Sequence, residues 1–147
     1  VNAMLRGLDV ARETLDREEI EAIAGHRFHE VDDYHRLAKD LPGVEFRVNF
    51  DPSHLEVQGE NPRRVVDELA DQIVHVHLKD GKGRYPDFSF PPLGRGTIDF
   101  VGLARSLGIK AERAKTVHEA TDLVAQGLKG GGALLIDVEL DRAFKPM

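Results

Sequence analysis

The nine residues Gln72-Ile73-Val74-His75-Val76-His77-Leu78-Lys79-Asp80 decide how this chain is read. Residues 73–78 are rich in β-branched side chains and predict a strand. Side chains alternate along a strand, so Ile73, His75, His77 and Lys79 share one face while Val74, Val76 and Leu78 share the other. The valine and leucine face is expected to pack under helices. The histidine face is expected to point into a polar interior or a site. Two imidazoles and an ammonium on one side of a buried strand are costly unless paired or liganded. Hydrogen-bonded core histidines and a functional site both meet that requirement, and spacing alone leaves the two open.

Toward the N-terminus, residues 44–50 predict a second strand, ended by Asp51-Pro52-Ser53-His54. In parallel α/β folds, sites are built past the C-terminal ends of strands. A carboxylate and an imidazole three residues apart at such an end can reach one hard or borderline cation. An Asp-Pro turn with an incidental histidine is the plainer alternative. Asn61-Pro62 starts a helix that runs to about residue 71, with a side-chain cap and then proline at the first helical position. Val31, Tyr34, Leu37, Ala38 and Leu41 fall at helical spacing, and Pro42-Gly43 stops that helix. Residues 3–22 read as one amphipathic helix. Its end, residues 20–25, can instead be a short strand and a loop, and Glu21 lies in that stretch.

Toward the C-terminus, residues 79–97 read as a long loop rich in glycine and proline, of the kind that is functional or mobile. Gly94-Arg95-Gly96 lacks the lysine and the strand-to-helix setting of a phosphate loop. A helix over 99–107 closes at Gly108, and a short strand lies near 109–114. Thr116 and Glu119 form a capping box for a helix over 117–128. Gly130-Gly131-Gly132 is a turn. The apolar run that follows predicts a buried strand over 133–140, parallel to strand 73–78. Strands alternating with helices argue for an α/β fold built on a parallel sheet.

Composition narrows the function. The chain has 147 residues, enough for one domain with a sizeable core. Its net charge of −6 does not suit non-specific capture of polyphosphate, so no nucleic-acid partner is expected. The absence of cysteine excludes disulfides, zinc–thiolate sites and a cysteine nucleophile. No apolar run is long enough to span a membrane, and nothing resembles a signal peptide, so a cytoplasmic location is expected. His26, His29, His35 and His118 read as surface residues.

Three motifs occur in order. They are Val48-Asn49-Phe50-Asp51-Pro52-Ser53-His54-Leu55, Gln72-Ile73-Val74-His75-Val76-His77-Leu78-Lys79-Asp80 and Pro92-Leu93-Gly94-Arg95-Gly96-Thr97-Ile98-Asp99-Phe100. Together they resemble the second half of the xylose-isomerase-like barrel family, over about residues 15–100. That family holds sugar isomerases, epimerases, inosose dehydratases and, more distantly, an endonuclease for abasic DNA. The resemblance implies a divalent metal (Mn, Mg, Co or Zn) bound by Asp51 and His77. It also implies Glu21, from Ile20-Glu21-Ala22-Ile23-Ala24-Gly25-His26, as a ligand and acid/base. His54 matches a position that contacts substrate, or a second metal in the endonuclease branch. Glu21, His54 and Lys79, the last from the histidine face, are the candidate catalytic residues. A full barrel needs about 250 residues, and at least about 200, so the implied fold is a partial (β/α) barrel-like parallel sheet with flanking helices.

The last segment is different. Leu103-Ala104-Arg105-Ser106-Leu107-Gly108-Ile109-Lys110-Ala111-Glu112-Arg113, then Ala133-Leu134-Leu135-Ile136-Asp137-Val138-Glu139-Leu140 and the ending Lys145-Pro146, is similar to the C-terminal end of thiamine-diphosphate-dependent enzymes. The G-D-G stretch that holds that cofactor is missing, so no thiamine chemistry follows. The expected organisation is a barrel-like segment over 1–100 and a strand–helix–strand segment over 101–147 packed on the same sheet, as in a chimera. The expected function is a metal-dependent, incomplete isomerase or epimerase of a small sugar or polyol. A truncated or chimeric domain that forms homo-oligomers without turnover is the alternative, and an abasic-site endonuclease comes third. Loss of barrel units predicts weak turnover by the chain alone, rising as copies associate through open strand edges.

Overall fold

The computed structural model describes residues 19–140. The chain divides between Ile98 and Asp99 into two compact units. The first carries β1 (Glu19–Ile20), α1 (Val31–Asp40), β2 (Arg47–Phe50), α2 (Pro52–Gln58), α3 (Arg63–Leu69), a 3-10 turn (Ala70–Gln72) and β3 (Ile73–Val76). A hairpin of β4 (Lys82–Arg84) and β5 (Asp87–Ser89) ends it. The strands β1, β2 and β3 form one parallel sheet in that order. This is an α/β fold, with no closed barrel among the described residues.

Local chemistry accounts for these elements. Val48 and Phe50 on β2 are buried, as are Leu55 and Val57 of α2 and Val65, Val66 and Leu69 of α3. Asp51 caps α2: its carboxylate accepts from the Ser53 N–H, Pro52 takes the first helical position, and Gly59 closes the helix in the left-handed region at φ 92°. Asn61 acts in the same way for α3, accepting from the Arg63 N–H at 3.1 Å. Helix α1 opens with a capping box between Glu30 and Asp33.

Four expectations change in the first unit. Residues 3–18 of the anticipated first helix lie outside the described residues, and its end, Glu19–Ile20, is a strand. Pairing of Ile20 with Val48 overrides the helical spacing there. Residues 52–54, expected in the turn that ends strand 44–50, instead open a helix that runs to Gln58. The loop over 79–97 contains a hairpin, whose turn holds a cis Tyr85–Pro86 peptide. Finally, Val74, Val76 and Leu78 are exposed rather than packed under helices. Strand β3 is the last strand of its sheet, and the chain leaves it into the hairpin, so no helix of this unit follows to cover that face.

The second unit runs α4 (Phe100–Ser106), β6 (Lys110–Ala114), α5 (Val117–Gly130) and β7 (Leu134–Val138). Asp99 caps α4 through the Gly102 N–H, and the Thr116–Glu119 capping box opens α5. Val101, Ala104 and Ala111 make its small core, with Ile109 and Leu135 against them. Strand β7 pairs in parallel with β6 in a two-stranded sheet, not with β3, and it is half-buried. Two strands covered by so few apolar side chains cannot bury β7 fully. Among the described residues no helix is long and apolar enough to cross a membrane.

Candidate metal centre

The C-terminal ends of β1, β2 and β3 deliver Glu21, Asp51 and His77 to one place. One donor atom from each lies within 4.8 Å of the other two. His77 Nδ1 stands 3.9 Å from Glu21 Oε1 and 3.7 Å from Asp51 Oδ2. Donors around one ion at bond lengths near 2 Å sit roughly 3–4 Å apart, so a small contraction would let this set hold one. Two carboxylates, one imidazole and no thiolate suit Mn, Mg, Co or Zn.

Each side chain is aimed by its local structure. Asp51 is 3% exposed. Its Oδ1 is tied to α2, accepting from the Ser53 N–H at 2.8 Å and from the Ser53 hydroxyl at 2.6 Å. That leaves Oδ2 for the site, where it faces His77, His54 at 3.8 Å and the Lys79 ammonium at 3.4 Å. His77 lies just past β3 and extends the ladder by donating its N–H to the Phe50 carbonyl. A bulge between β2 and β3 opposes Val48 to Ile73 and Asn49 to His75, and bulges of this kind re-aim side chains. Glu21 follows the last rung of β1, and Asn49 Nδ2 donates to its Oε2 at 3.3 Å.

His54 sits in the first turn of α2. Its Nδ1 accepts from the Ala24 N–H at 3.2 Å. A neutral ring with an occupied Nδ1 lone pair carries its proton on Nε2. His54 therefore presents a donor to the site and does not compete as a metal ligand. The Lys79 ammonium also has only donors to offer, so it stands 3.0 Å from that Nε2 without a hydrogen bond between them; it donates instead to Asp51 Oδ2 and lies over the Phe90 ring, 3.7 Å from its centre. Phe90 also meets His54 edge-on, and Phe88 and Tyr85 extend the aromatic run along the hairpin. His75 packs against His77, ring centres 4.9 Å apart, and stands outside the ligand set.

The site's electrostatics are strained in one direction. Burial, and then the Asp51 charge, hold the Glu21 carboxyl above its usual range, against the pull of His77 and Lys79. Burial, and then Lys79, hold the His54 imidazole below its usual range, against the pull of Asp51. A raised carboxyl favours folding below its folded pKa, and that contribution disappears as pH rises through it. Glu21→Gln is therefore expected to make the metal-free protein more stable at neutral pH, by about 0.5–2 kcal/mol. The gain should vanish in acid. Melting curves from pH 4 to 8 check this, and parallel curves for the two proteins would contradict it.

Residues outside the sequence-derived set complete the site. Asn49, which steadies Glu21, was legible in one way: it is a polar residue within a strand whose neighbours Val48 and Phe50 are core. Asp80 is 2% exposed and accepts from the N–H groups of Gly81, Gly94, Gly96 and Ile98 at 2.8–3.3 Å. It ties the loop over 92–98 to the end of β3. A Cβ on Gly96 would run into the Asp80 carboxylate and the Gly81 carbonyl, which is why glycine stands there.

A family model described as xylose isomerase-like TIM barrel matches residues 3–117. No curated protein matches the chain.

Proposed function

The chain belongs to the xylose isomerase-like TIM barrel family, and from that premise we propose that it is a divalent-metal-dependent isomerase or epimerase of small hydroxy-carbonyl sugars or polyols. The observation that carries this reading is the convergence of Glu21, Asp51 and His77 within 4.8 Å, with Lys79 and His54 beside them. Two carboxylates and an imidazole would hold the ion, which when bound supplies Lewis-acid polarisation of adjacent carbonyl and hydroxyl oxygens.

The chain's own groups do the rest. Glu21, with a carboxyl held above its usual range, suits a group that takes a proton from the carbon beside a carbonyl and returns it. The electron pair left behind moves onto the carbonyl oxygen. The Lys79 ammonium and the Nε2–H of His54 are donors placed to meet that negative charge. Return of the proton to the neighbouring carbon, as the hydroxyl there passes its proton to the former carbonyl oxygen, is isomerisation; epimerisation needs water or a second group to deliver a proton to the opposite face of the same carbon. Phe90 lies under the Lys79 ammonium and edge-on to His54, an apolar contact on that side of the site.

The test is proton exchange. Mn²⁺-loaded protein is incubated in D₂O with ketopentoses, ketohexoses and a cyclic keto-polyol, and deuterium at the carbon beside the carbonyl is followed by NMR. Metal-dependent exchange on at least one compound is expected, reduced by about 10²–10⁴-fold in Glu21→Gln. Metal-loaded protein that exchanges no proton on any of them would contradict the enzymatic reading and favour a metal-binding protein without turnover.

A further inference from the structure

Glu21 lies one residue past the end of its strand. The β1–β2 ladder stops at Ile20, paired with Val48. A carboxylate at a frayed strand end would wander, and donor atoms of a metal site must be held closely. The groups on either side of Glu21 are held by a single side chain from another element. The Tyr34 hydroxyl of α1 donates to the Ile20 carbonyl at 3.3 Å and accepts from the Ala22 N–H at 3.0 Å. One hydroxyl thus grips the backbone before and after Glu21 and continues the restraint where the ladder ends.

Tyr34 is itself fixed. It is 2% exposed, with Phe28 edge-on at 4.7 Å and Phe46 stacked at 6.0 Å. Burial pushes its hydroxyl pKa up to about 12, so it keeps its proton across the working range of the protein. A buried tyrosine could equally spend its hydroxyl on any nearby carbonyl. Here both of its hydrogen bonds go to the residues flanking a candidate metal ligand 13 positions away in sequence.

We propose that Tyr34 is a positioning residue of the metal centre, clamping the Glu21 backbone so that its carboxylate meets Asp51 and His77. This rests on the metal-site reading above, and its test separates the two. Tyr34→Phe keeps the ring and its packing and removes only the hydroxyl. In the metal-free protein, the Ala22 amide is expected to exchange with solvent at least about 10-fold faster, while amides of the β2–β3 ladder keep their rates. Mn²⁺ affinity is expected to fall by about 10–100-fold, as when supporting partners of metal ligands are removed. In a Glu21→Ala background the same change should cost nothing further, because the ligand it positions is gone. Phe46→Leu loosens the same aromatic stack without touching the hydroxyl. It should lower the melting temperature and leave Mn²⁺ affinity unchanged.

An unchanged Ala22 exchange rate would overturn the clamp. So would an undiminished affinity in Tyr34→Phe, or an equal loss with and without Glu21. A wild-type protein that takes up no Mn²⁺ would remove the metal reading and this role together, whereas a wild-type protein that binds while Tyr34→Phe binds equally well removes only this role.

Discussion

Asp51→Asn and His77→Ala are each expected to weaken Mn²⁺ binding by more than about 100-fold, since even the supporting partners of metal ligands cost 10–100-fold when lost. The two changes reach that result differently. Asparagine can still cap α2 through its side-chain oxygen, as aspartate does for the Ser53 N–H, and it ranks with aspartate as a cap. The helix should therefore survive, with stability changed by no more than about 1 kcal/mol, while the charge that faces His77 and Lys79 disappears. The His77 side chain is 40% exposed, so its truncation opens no large cavity. Because the Glu21 carboxyl is held above its usual range, a proton competes with the ion there, and wild-type affinity should fall as pH is lowered through that range. Titration calorimetry at two pH values checks all three statements. Retention of wild-type affinity in either variant would remove that residue from the ligand set.

Asp80→Ala should have the largest effect on folding. The carboxylate is buried and serves four backbone N–H groups, from Gly81, Gly94, Gly96 and Ile98. Alanine leaves those donors without an acceptor, and a buried unsatisfied donor costs about 1–3 kcal/mol. Some of the four will find water once the loop loosens, so a total loss of roughly 3 kcal/mol is expected. The chain has no tryptophan, so urea unfolding is followed by far-UV circular dichroism. Amide exchange at Gly94 and Gly96 should rise at the same time. A change within about 0.5 kcal/mol, the usual size for an uninvolved surface residue, would contradict this account of the loop.

How far the sequence could be read depended on the kind of signal. Alternation in strand 73–78 placed His75 and His77 on one face, and Asp51 at a strand end pointed to the rim where the structure has it. Both are local patterns with a fixed period. Glu21 was harder. Residues 3–22 have helical spacing, and only the pairing of β1 with β2, a contact between distant segments, makes residues 19 and 20 a strand. Helix α2 was missed although its grammar was present: Asp51-Pro52 is the same cap-plus-proline start that was recognised at Asn61-Pro62. Aspartate followed by proline also opens turns, so the dipeptide alone fits both.

Other misses had no sequence signal at all. Asp80 serves backbone N–H groups, which every sequence has, so its role appears only when the loop is folded. Tyr34 occupies a helix position that looks like ordinary core, and its two hydrogen bonds are invisible until β1 lies beside α1. The exposed Val74, Val76 and Leu78 show the converse error: alternation identifies two faces but does not say what covers either one.

The central claim is that Glu21, Asp51 and His77 hold one divalent ion. Its most direct test is anomalous diffraction at the manganese edge from crystals grown with Mn²⁺. The account predicts a single strong peak with a carboxylate oxygen of Glu21, an oxygen of Asp51 and a ring nitrogen of His77 all at roughly 2 Å, the usual ligand distance. A peak elsewhere, or none at this site from crystals of protein shown to be saturated with Mn²⁺, would contradict it.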